Sequence, residues 1–228
     1  MLPLDIKPRQ TIMKTLKEQT DAKIEAGRQA KPDFMKGVDK VIEEAKAFLT
    51  GKDALQVGNK APEFELPNPK KQKISLTTLL SQGPVVVTFY RGDWCPYCNL
   101  QLRALQSKLE EIRALGATLV AISPQVPDGS MTESEISNME FTVLSDQDAK
   151  VASLYGVSWE VPAFLMDHMK VDRGLDLDKI NNGKGSILPI PATFVLNNEG
   201  IVTWSYVNVD YRTRAEPSDI IEALKVIS

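Results

Sequence analysis

The stretch PVVVTFY, residues 84–90, places the strongest constraint on the fold, because it is apolar on both faces and so belongs inside a sheet. A helix follows almost at once. Its buried stripe consists of Leu102, Leu105, Leu109 and Ile112, and Gly116 ends it. ATLVAISP (117–124) is a second buried strand. A strand, a helix and another strand in this order predict an α/β fold on a central sheet.

The remaining segments after residue 55 also divide into strand and helix patterns. The predicted strands are the two halves of FELPNPKKQKISL (64–76), FTVLSD (141–146) and the hairpin ATFVL-NNEG-IVTWSYVNV (192–209). The predicted helices are a segment that Thr132 and Glu135 open with capping-box spacing, AKVASLYG (149–156) and a capped, amphipathic PSDIIEALKVI (217–227). Residues 157–187 are the hardest to place, and VPAFLMDHMK (161–170) within them is compatible with a helix. This order predicts a mixed sheet with helices on both faces.

Residues 1–50 are densely charged and predict two helices. The first spans roughly residues 8–26, with a weak stripe through Ile12, Leu16 and Ile24. The second lies between Pro32-Asp33 and Gly51; its stripe consists of Phe34, Val38, Val41, Ile42, Ala45, Phe48 and Leu49. Two helices have no core of their own, so we expect them to pack on the main domain or on a second subunit in a homodimer. The alternative is a loosely attached, solvated extension. The predicted division is a helical extension over 1–50 and a domain over 51–228.

Composition excludes several classes of function. The chain has 228 residues and a formal net charge of −3, without a long basic run, so a nucleic-acid-binding surface has no electrostatic support. No apolar stretch approaches the roughly 20 residues that span a bilayer, so we expect no membrane segment. The N-terminus mixes charged and apolar residues too early for a secretory signal. We therefore expect a cytoplasmic protein.

The only two cysteines, Cys95 and Cys98, lie two residues apart in FYRGDWCPYC, just after the buried strand. This position places Cys95 at the N-terminus of the next helix, where unpaired amides and the helix dipole favour a thiolate. Pro96 suits the first helical turn. Cys98 is one turn further on, within disulfide reach, and Trp94 is expected to cover one side of the pair. The pattern favours a redox-active pair.

Three other interpretations compete with a redox pair. The cysteines could be inert and buried, they could bind zinc, or their redox chemistry could be incidental to a binding role. Zinc needs about four ligands, and the chain has a single histidine. That residue, His168, and the nearby Met166 and Met169 are better explained as packing or solvated residues. We expect no metal and no cofactor.

Several separated motifs resemble one known family. VGNKAPEFELPN, ISLTTLL, GPVVVTFYRGDWCPYC, AISPQ, FTVLSDQDAKVASLYGV and PATFVLNNEGIV are similar, in the same order, to the AhpC/TSA-type peroxiredoxins of the thioredoxin-fold superfamily. The resemblance covers roughly residues 55–227 and is closest to peroxiredoxin-like proteins with a WCPYC site. It implies a thioredoxin-like, peroxiredoxin-type α/β fold and an antioxidant peroxidase.

By this resemblance, Cys95 is the peroxidatic cysteine, which attacks hydrogen peroxide or an organic hydroperoxide and becomes a sulfenic acid. Cys98 then resolves the sulfenic acid as an intramolecular disulfide. The resemblance also implies a thioredoxin-like or glutathione-linked reductant.

The active-site segment departs from the family pattern at four positions. Thr88 replaces a proline, Gly92 replaces a threonine or serine that helps to orient peroxide, and Cys98 replaces a glutamate. Pro191 replaces an arginine before ATF that holds the thiolate and the peroxide. Arg91 is the first candidate to supply the missing cation. The weaker candidates are Arg103, Arg173, Arg212 and Arg214.

Pro191 also fits a different role. Thioredoxins and related oxidoreductases carry a cis-proline opposite their CxxC motif, and Ile190-Pro191 resembles it. Pro96-Tyr97 is the dipeptide of the glutaredoxin motif, whereas Phe89 stands where thioredoxins have a buried aspartate. The alternative function is therefore a thiol–disulfide oxidoreductase acting on protein or glutathione disulfides.

Overall fold

The computed structural model describes residues 14–47, 51–126 and 139–227. The helices are α1 (Leu16–Ala30), α2 (Pro32–Ala47), α3 (Leu76–Leu80), α4 (Pro96–Ser107), α5 (Leu109–Ala114), α6 (Lys150–Leu154), α7 (Ala163–Asp167), α8 (Leu177–Asn181) and α9 (Pro217–Lys225). The strands are β1 (Glu65–Pro67), β2 (Lys73–Ser75), β3 (Val85–Phe89), β4 (Thr118–Ser123), β5 (Thr142–Ser145), β6 (Ser158–Glu160), β7 (Ile187–Pro189), β8 (Ala192–Leu196) and β9 (Val202–Val207). A π-helical turn, His168–Asp172, follows α7.

A five-stranded sheet in the order β5-β4-β3-β8-β9 forms the centre of the fold. Strands β3, β4 and β5 are parallel, while β8 and β9 are antiparallel to their neighbours. Val87 of β3 lies opposite Val120 on one side and Phe194 on the other. The predicted mixed sheet is confirmed, and every residue of β3 is buried, as expected for a central strand.

Helices cover both faces of this sheet, as predicted. The alternation along β3 sends Val86 to one face, where it packs with Leu102 of α4 and Ile220 of α9. Val87 faces the other side, with Leu76 of α3. Helix α4, which covers the first face, follows β3 in the sequence, so its N-terminus lies near the end of β3. The two cysteines are located at this junction.

Helix α1 begins later than predicted, at Leu16 instead of residue 8, and continues to Ala30. A reciprocal capping box sets this start: the Thr15 side chain accepts from the Glu18 N–H at 3.1 Å, and the Glu18 carboxylate accepts from the Thr15 N–H at 2.8 Å. Helix α2 begins at Pro32 itself, so Pro32 and Asp33, which were expected to precede the helix, form its first turn. Ile12, Phe48 and Leu49 lie outside the described residues, as does the helix expected from Thr132.

Helices α1 and α2 pack on the main domain, which is one of the two arrangements expected for them. Helix α1 lies against α4. The Glu216 carboxylate accepts from the Leu16 N–H at 3.2 Å and from the Lys17 N–H at 2.5 Å, so it caps α1 from the far end of the chain. Asp39 of α2 pairs with the buried Arg212 at 2.6 Å. The two helices are therefore held beside the sheet by charged contacts as well as apolar ones.

Two further helices differ in detail from their predictions. The helix after the cysteines is interrupted at Lys108 and continues as α5. Helix α9 begins at Pro217 after Glu216, whose side chain makes no cap to α9, so the predicted cap is wrong. The segment VPAFLMDHMK is helical, as expected. No helix within the described ranges is long and apolar enough to cross a membrane.

Candidate active site

The two cysteines lie where β3 leads into α4. Cys95 is the N-cap residue of α4, Pro96 opens the helix and Cys98 follows one turn later. The Asn99 N–H donates to the Cys95 carbonyl oxygen at 3.1 Å and closes the first turn. The predicted position of Cys95 at a helix N-terminus is confirmed, and this position favours a thiolate. Both thiols are free and buried, with exposures of 2% for Cys95 and 0% for Cys98.

Three hydrogen bonds hold the loop that precedes Cys95. The Asp93 N–H donates to Oε1 of Gln125 at 2.9 Å, and Nδ2 of Asn99 donates to the Asp93 carbonyl at 2.7 Å. Nη2 of Arg173 donates to the Trp94 carbonyl at 2.9 Å. The loop is thus tied to α4, to the segment after β4 and to the π-helical turn, which fixes the backbone on which the Cys95 sulfur sits.

The indole of Trp94 occupies the space that a side chain at position 92 would need. Gly92 has a φ of +145°, and a Cβ there would collide with the Trp94 indole. Trp94 is half-buried and packs against the apolar cluster that contains both cysteines, as expected for a residue that covers the pair. The family's hydroxyl at position 92 is therefore sterically incompatible with this placement of Trp94.

Two buried guanidinium groups flank the cysteine pair. Arg91, 3% exposed, stacks on Tyr211 with its guanidinium carbon 4.3 Å from the ring centroid, and lies 5.2 Å from that of Trp94. Arg214, 7% exposed, donates from Nη2 to the Cys98 sulfur at 3.1 Å. Within the described residues neither guanidinium pairs with a carboxylate. A thiolate at the pair is thus placed to compensate buried positive charge.

These charges act on the two thiols in opposite directions. A hydrogen bond from the Cys98 thiol, together with the charges of Arg91 and Arg214, lowers the pKa of Cys95 well below its ordinary value despite burial. Burial raises the pKa of Cys98, and the neighbouring Cys95 thiolate raises it further, against the charge of Arg214. These directions favour the thiolate at Cys95 and the thiol at Cys98 in the reduced site.

The turn that follows β9 contributes side chains to the site and also contacts α2. Arg214 reaches Cys98, and Tyr211 packs edge-on to Tyr97 at 6.3 Å between ring centroids. Between them, Arg212 pairs with Asp210 at 2.8 Å and with Asp39 of α2, and so does not reach the cysteines. The arginine ranked first from the sequence, Arg91, and one of the weaker candidates, Arg214, are the two that flank the pair.

A cleft of about 440 Å³ opens above Cys95, and the cysteine forms part of its wall, whereas Cys98 does not. Its apolar and aromatic lining includes Phe34, Met35, Trp94, Pro96, Tyr97, Leu165, Met169 and Tyr211. Its basic lining consists of Lys23, Lys31, Arg91, His168 and Arg173. The N-terminal helices therefore build part of the wall, which sequence reasoning did not foresee. No local pattern marks Lys23 or Lys31 as site residues, because only the packing of α1 and α2 brings them there.

His168, to which the sequence assigned no role, lies on the cleft wall. Its ring contacts Phe34 in a tilted arrangement with centroids 3.8 Å apart, and its Nδ1 is 2.6 Å from the Asp172 carboxylate. It is a packed residue with a carboxylate partner, in agreement with that interpretation.

Pro191 does not take the position expected of a docking residue. The described chain has no cis peptide bond, so Ile190-Pro191 is trans and the predicted cis-proline is wrong. Pro191 is buried and is not among the cleft-lining residues. Its carbonyl oxygen accepts from the Asn208 N–H at 3.5 Å. The dipeptide alone determines neither the isomer nor the burial.

Thr88, which replaces the family's proline, belongs to a buried polar cluster on the sheet. Its Oγ1 is 2.9 Å from Oγ1 of Thr193 and accepts from Nε2 of Gln101 at 3.1 Å. Thr193 and Gln101 were not singled out from the sequence, because they lie on β8 and α4, far from residue 88 along the chain. The departure at position 88 is accommodated by hydrogen bonding inside the core.

Comparisons with known proteins agree with this fold. A family model described as the AhpC/TSA family matches residues 57–205. Peroxiredoxin Bcp of Escherichia coli K12 is 32% identical over 111 residues, which cover 49% of this chain and 70% of that protein. A putative peroxiredoxin bcp of Helicobacter pylori J99 is 26% identical over 172 residues, 75% of this chain and 99% of that protein.

Among solved structures, peroxidoxin BcpB from Mycobacterium tuberculosis matches with a TM-score of 0.58 at 22% identity, covering 76% of this chain and 99% of that one. This likeness agrees with a thioredoxin-like architecture. Because the family model spans more than half of the sequence, the chain belongs to the AhpC/TSA family as a peroxiredoxin-like protein.

Proposed function

We propose that this peroxiredoxin-type thiol peroxidase reduces hydrogen peroxide and organic hydroperoxides with Cys95 as the peroxidatic and Cys98 as the resolving cysteine. One observation carries the assignment of roles: Cys95 lines the cleft at a helix N-terminus, whereas Cys98 lies behind it against Arg214. The sulfur that a substrate can reach is thus also the one whose pKa is lowered.

In the first step the Cys95 thiolate attacks the terminal oxygen of the hydroperoxide. The O–O bond breaks, an S–O bond forms, and the departing alkoxide or hydroxide takes up a proton and leaves as alcohol or water. Negative charge moves from sulfur to oxygen during this step. Arg91, beside Cys95 and held by Tyr211, is placed to stabilise that charge in the absence of the family's hydroxyl at position 92.

The second step transfers the role of nucleophile to Cys98. Once Cys95 is a neutral sulfenic acid, the thiolate that raised the pKa of Cys98 no longer exists, while Arg214 still lowers it. The Cys98 thiolate then attacks the Cys95 sulfur, an S–S bond forms, and hydroxide leaves and is protonated to water. The two thiols therefore ionise in sequence, each when its chemistry requires it.

Family membership implies a thiol reductant of the thioredoxin type for the resulting disulfide. The alternative function, a dithiol oxidoreductase acting on other disulfides, rested on a cis-proline beside the pair and on the Pro96-Tyr97 dipeptide, and the described chain has no cis peptide bond. The similarity to peroxiredoxins also favours the peroxidase. The peroxidase is therefore the better-supported assignment.

Stopped-flow mixing of the reduced protein with equimolar hydrogen peroxide tests the proposal, with Trp94 fluorescence as the signal. The expected rate constant is far above that of free cysteine. Cys95→Ser should abolish peroxide consumption, and Cys98→Ser should complete a single turnover and stop at the sulfenic acid. Full activity of Cys95→Ser, or a rate equal to that of free thiol, would refute the assignment.

We further propose that residues 51–228 form the catalytic domain and residues 1–50 an extension that completes its cleft. A homodimer remains a prediction. Sedimentation of the full chain and of a form lacking residues 1–50 tests it: a dimer built by these helices dissociates on truncation, and an unchanged association state contradicts such a dimer.

A further inference from the structure

The oxygen that departs when Cys95 attacks a hydroperoxide carries negative charge as hydroxide or alkoxide. A hydrogen-bond donor held in place at that oxygen lowers the barrier, and it acts more strongly in a site shielded from water. Arg91 supplies a cation beside Cys95. The wall of the cleft next to Cys95 contains a further donor, the indole N–H of Trp94.

The indole N–H of Trp94 is buried and unused. Its nitrogen, Nε1, is shielded from solvent and has no hydrogen-bond partner among the described residues. An indole nitrogen can only donate, and a buried donor without an acceptor is rare because the lost hydrogen bond is costly. Cys95 is itself only 2% exposed, so a hydroperoxide that reaches its sulfur also enters the shielded region in which Nε1 lies. Such a substrate brings the acceptor that the N–H lacks.

The turn before Cys95 determines where this N–H lies. Nε1 is the atom nearest to the Cβ that a residue at position 92 would carry, so the indole folds back over the turn. The Cys95 N–H donates to the Gly92 carbonyl at 3.2 Å and closes that turn. Oε1 of Gln125 lies 3.0 Å from the same Cβ position, but it already accepts from the Asp93 N–H. The N–H is therefore held beside the segment that presents the Cys95 sulfur.

Two arginines fix the indole in this position. The guanidinium carbon of Arg91 lies 5.2 Å from the centroid of the ring, and Nη2 of Arg173 donates to the Trp94 carbonyl at 2.9 Å. Nε of Arg91 is also buried and has no partner in the described part of the chain. Both donors belong to residues that border the cleft together with Cys95.

We propose that Trp94 is a catalytic residue that donates a hydrogen bond from Nε1 to the departing oxygen of the hydroperoxide. The proposal rests on the proposed function, which supplies the attack by Cys95. The thiolate forms an S–O bond with the terminal oxygen, the O–O bond breaks, and both electrons of that bond go to the departing oxygen. The indole keeps its proton throughout, and solvent protonates the released hydroxide or alkoxide.

The test removes the N–H and keeps the shape of the ring. Benzothienylalanine, in which sulfur stands in place of the indole N–H, is incorporated at position 94 of the full-length protein, and Trp94→Phe is made as a second variant. Reduced protein is mixed with hydrogen peroxide, quenched at short times and analysed by mass spectrometry for the loss of free Cys95. Each rate is divided by the rate at which iodoacetamide alkylates Cys95 in the same variant. Alkylation uses the same thiolate but releases iodide, a poor hydrogen-bond acceptor.

Benzothienylalanine should lower this ratio of rates by about 10- to 100-fold, the effect of losing a hydrogen bond to a charged group. Trp94→Phe should lower it in the same way. The pH profile of alkylation should stay unchanged, because other groups lower the pKa of Cys95. The matched control, Trp204→Phe on β9, changes a tryptophan that does not line the cleft and should keep the ratio. An unchanged ratio with benzothienylalanine, including an equal loss of both rates, would show a packing role and overturn the proposal.

A second oxidant tests which oxygen accepts the hydrogen bond. Peracetic acid releases acetate, which delocalises its own negative charge, whereas hydrogen peroxide releases hydroxide. Benzothienylalanine at position 94 should therefore slow the reaction with hydrogen peroxide more than the reaction with peracetic acid. Equal slowing with both oxidants overturns the assignment of Trp94 to the departing oxygen. Failure of the proposed function is distinct, since it shows in the unmodified protein as a rate with hydrogen peroxide no faster than that of free cysteine.

Discussion

Replacing Arg214 by methionine should slow the formation of the disulfide far more than the formation of the sulfenic acid. The guanidinium touches the Cys98 sulfur, and it lies in the turn after β9, beyond the residues that the family model matches. Methionine keeps the length of the side chain and removes its charge. Cys95 loses the more distant charge of Arg214 but retains Arg91 and the helix N-terminus, whereas Cys98 loses the cation that contacts its sulfur.

The size of the effect follows from the contact. A hydrogen bond to a charged group contributes about 1.5–3 kcal/mol, and the 7% exposure of Arg214 leaves little solvent to screen it. Since about 1.4 kcal/mol is a factor of ten, the disulfide step should slow by about 10- to 100-fold. Arg214 also donates to the carbonyls of Tyr211 and Thr213, so the variant should lose about 1–3 kcal/mol of folding free energy.

The assay follows both steps in one sample. Reduced protein receives one equivalent of hydrogen peroxide, and aliquots are quenched with a sulfenic-acid trap and an alkylating agent before mass spectrometry. Sulfenic acid should accumulate in Arg214→Met and decay slowly. Arg214→Lys, which keeps the charge, should recover part of the rate and controls for local damage. Equal slowing of both steps in Arg214→Met, with no recovery in Arg214→Lys, would refute a specific role at Cys98.

Three other changes test separate contacts. The hydrogen bond from Cys98 is the largest cause of the lowered pKa of Cys95. The pH at which the peroxide rate rises should therefore be higher in Cys98→Ala than in Cys98→Ser. Stopped-flow rates from pH 5 to 9 measure this, and superimposable profiles of the two variants contradict it. Burial raises the pKa of Asp39, but the hydrogen bond and charge of Arg212 outweigh it and leave the pKa below its ordinary value. Asp39 therefore stabilises the fold above the pKa of the unfolded chain, about 3.9, and this contribution is lost as the pH falls through the lower folded-state pKa. Asp39→Asn should lower the free energy of unfolding by about 1 kcal/mol at pH 7, a modest value because the carboxylate is partly exposed, and by much less at pH 3. Urea unfolding at both pH values measures this difference. An equal loss at both would show that the ionisation of Asp39 does not contribute. Glu216→Gln should destabilise the first turn of α1 by about 0.5–2 kcal/mol. The amides of that turn should then exchange faster with solvent, and unchanged protection would show that the Glu216 carboxylate does not cap α1.

The sequence predicted those parts of the molecule whose signals are local. The apolar run of β3 and the proline after Cys95 each restrict the backbone strongly within a few residues. The start of α1 was missed because charged residues surround a weak apolar stripe, and the capping box of Thr15 and Glu18 decides it instead. The capping box is itself a local signal, so the start of α1 was readable from the sequence and was overlooked.

The features that were missed or misjudged depend on contacts between distant residues. The Arg214–Cys98 hydrogen bond joins residues 116 positions apart, and nothing in YRTR distinguishes Arg214 from Arg212, which instead pairs with two carboxylates. The trans peptide before Pro191 was misjudged because the local sequence resembles both thioredoxins and peroxiredoxins.

The turn after β9 connects the chemistry of the site to the helices that wall it. Arg214 contacts Cys98, Tyr211 holds Arg91, and Arg212 binds Asp39 of α2, all within four residues of one another. Since α2 also supplies part of the cleft wall, a shift of this turn would move the cations and the cleft wall together. Arg91 lies within the residues that the family model matches, whereas Tyr211, Arg214 and α2 lie outside them, and we propose that together they take the place of the family's hydroxyl and arginine. These parts should fail together when Arg212 is removed, although Arg212 touches neither sulfur.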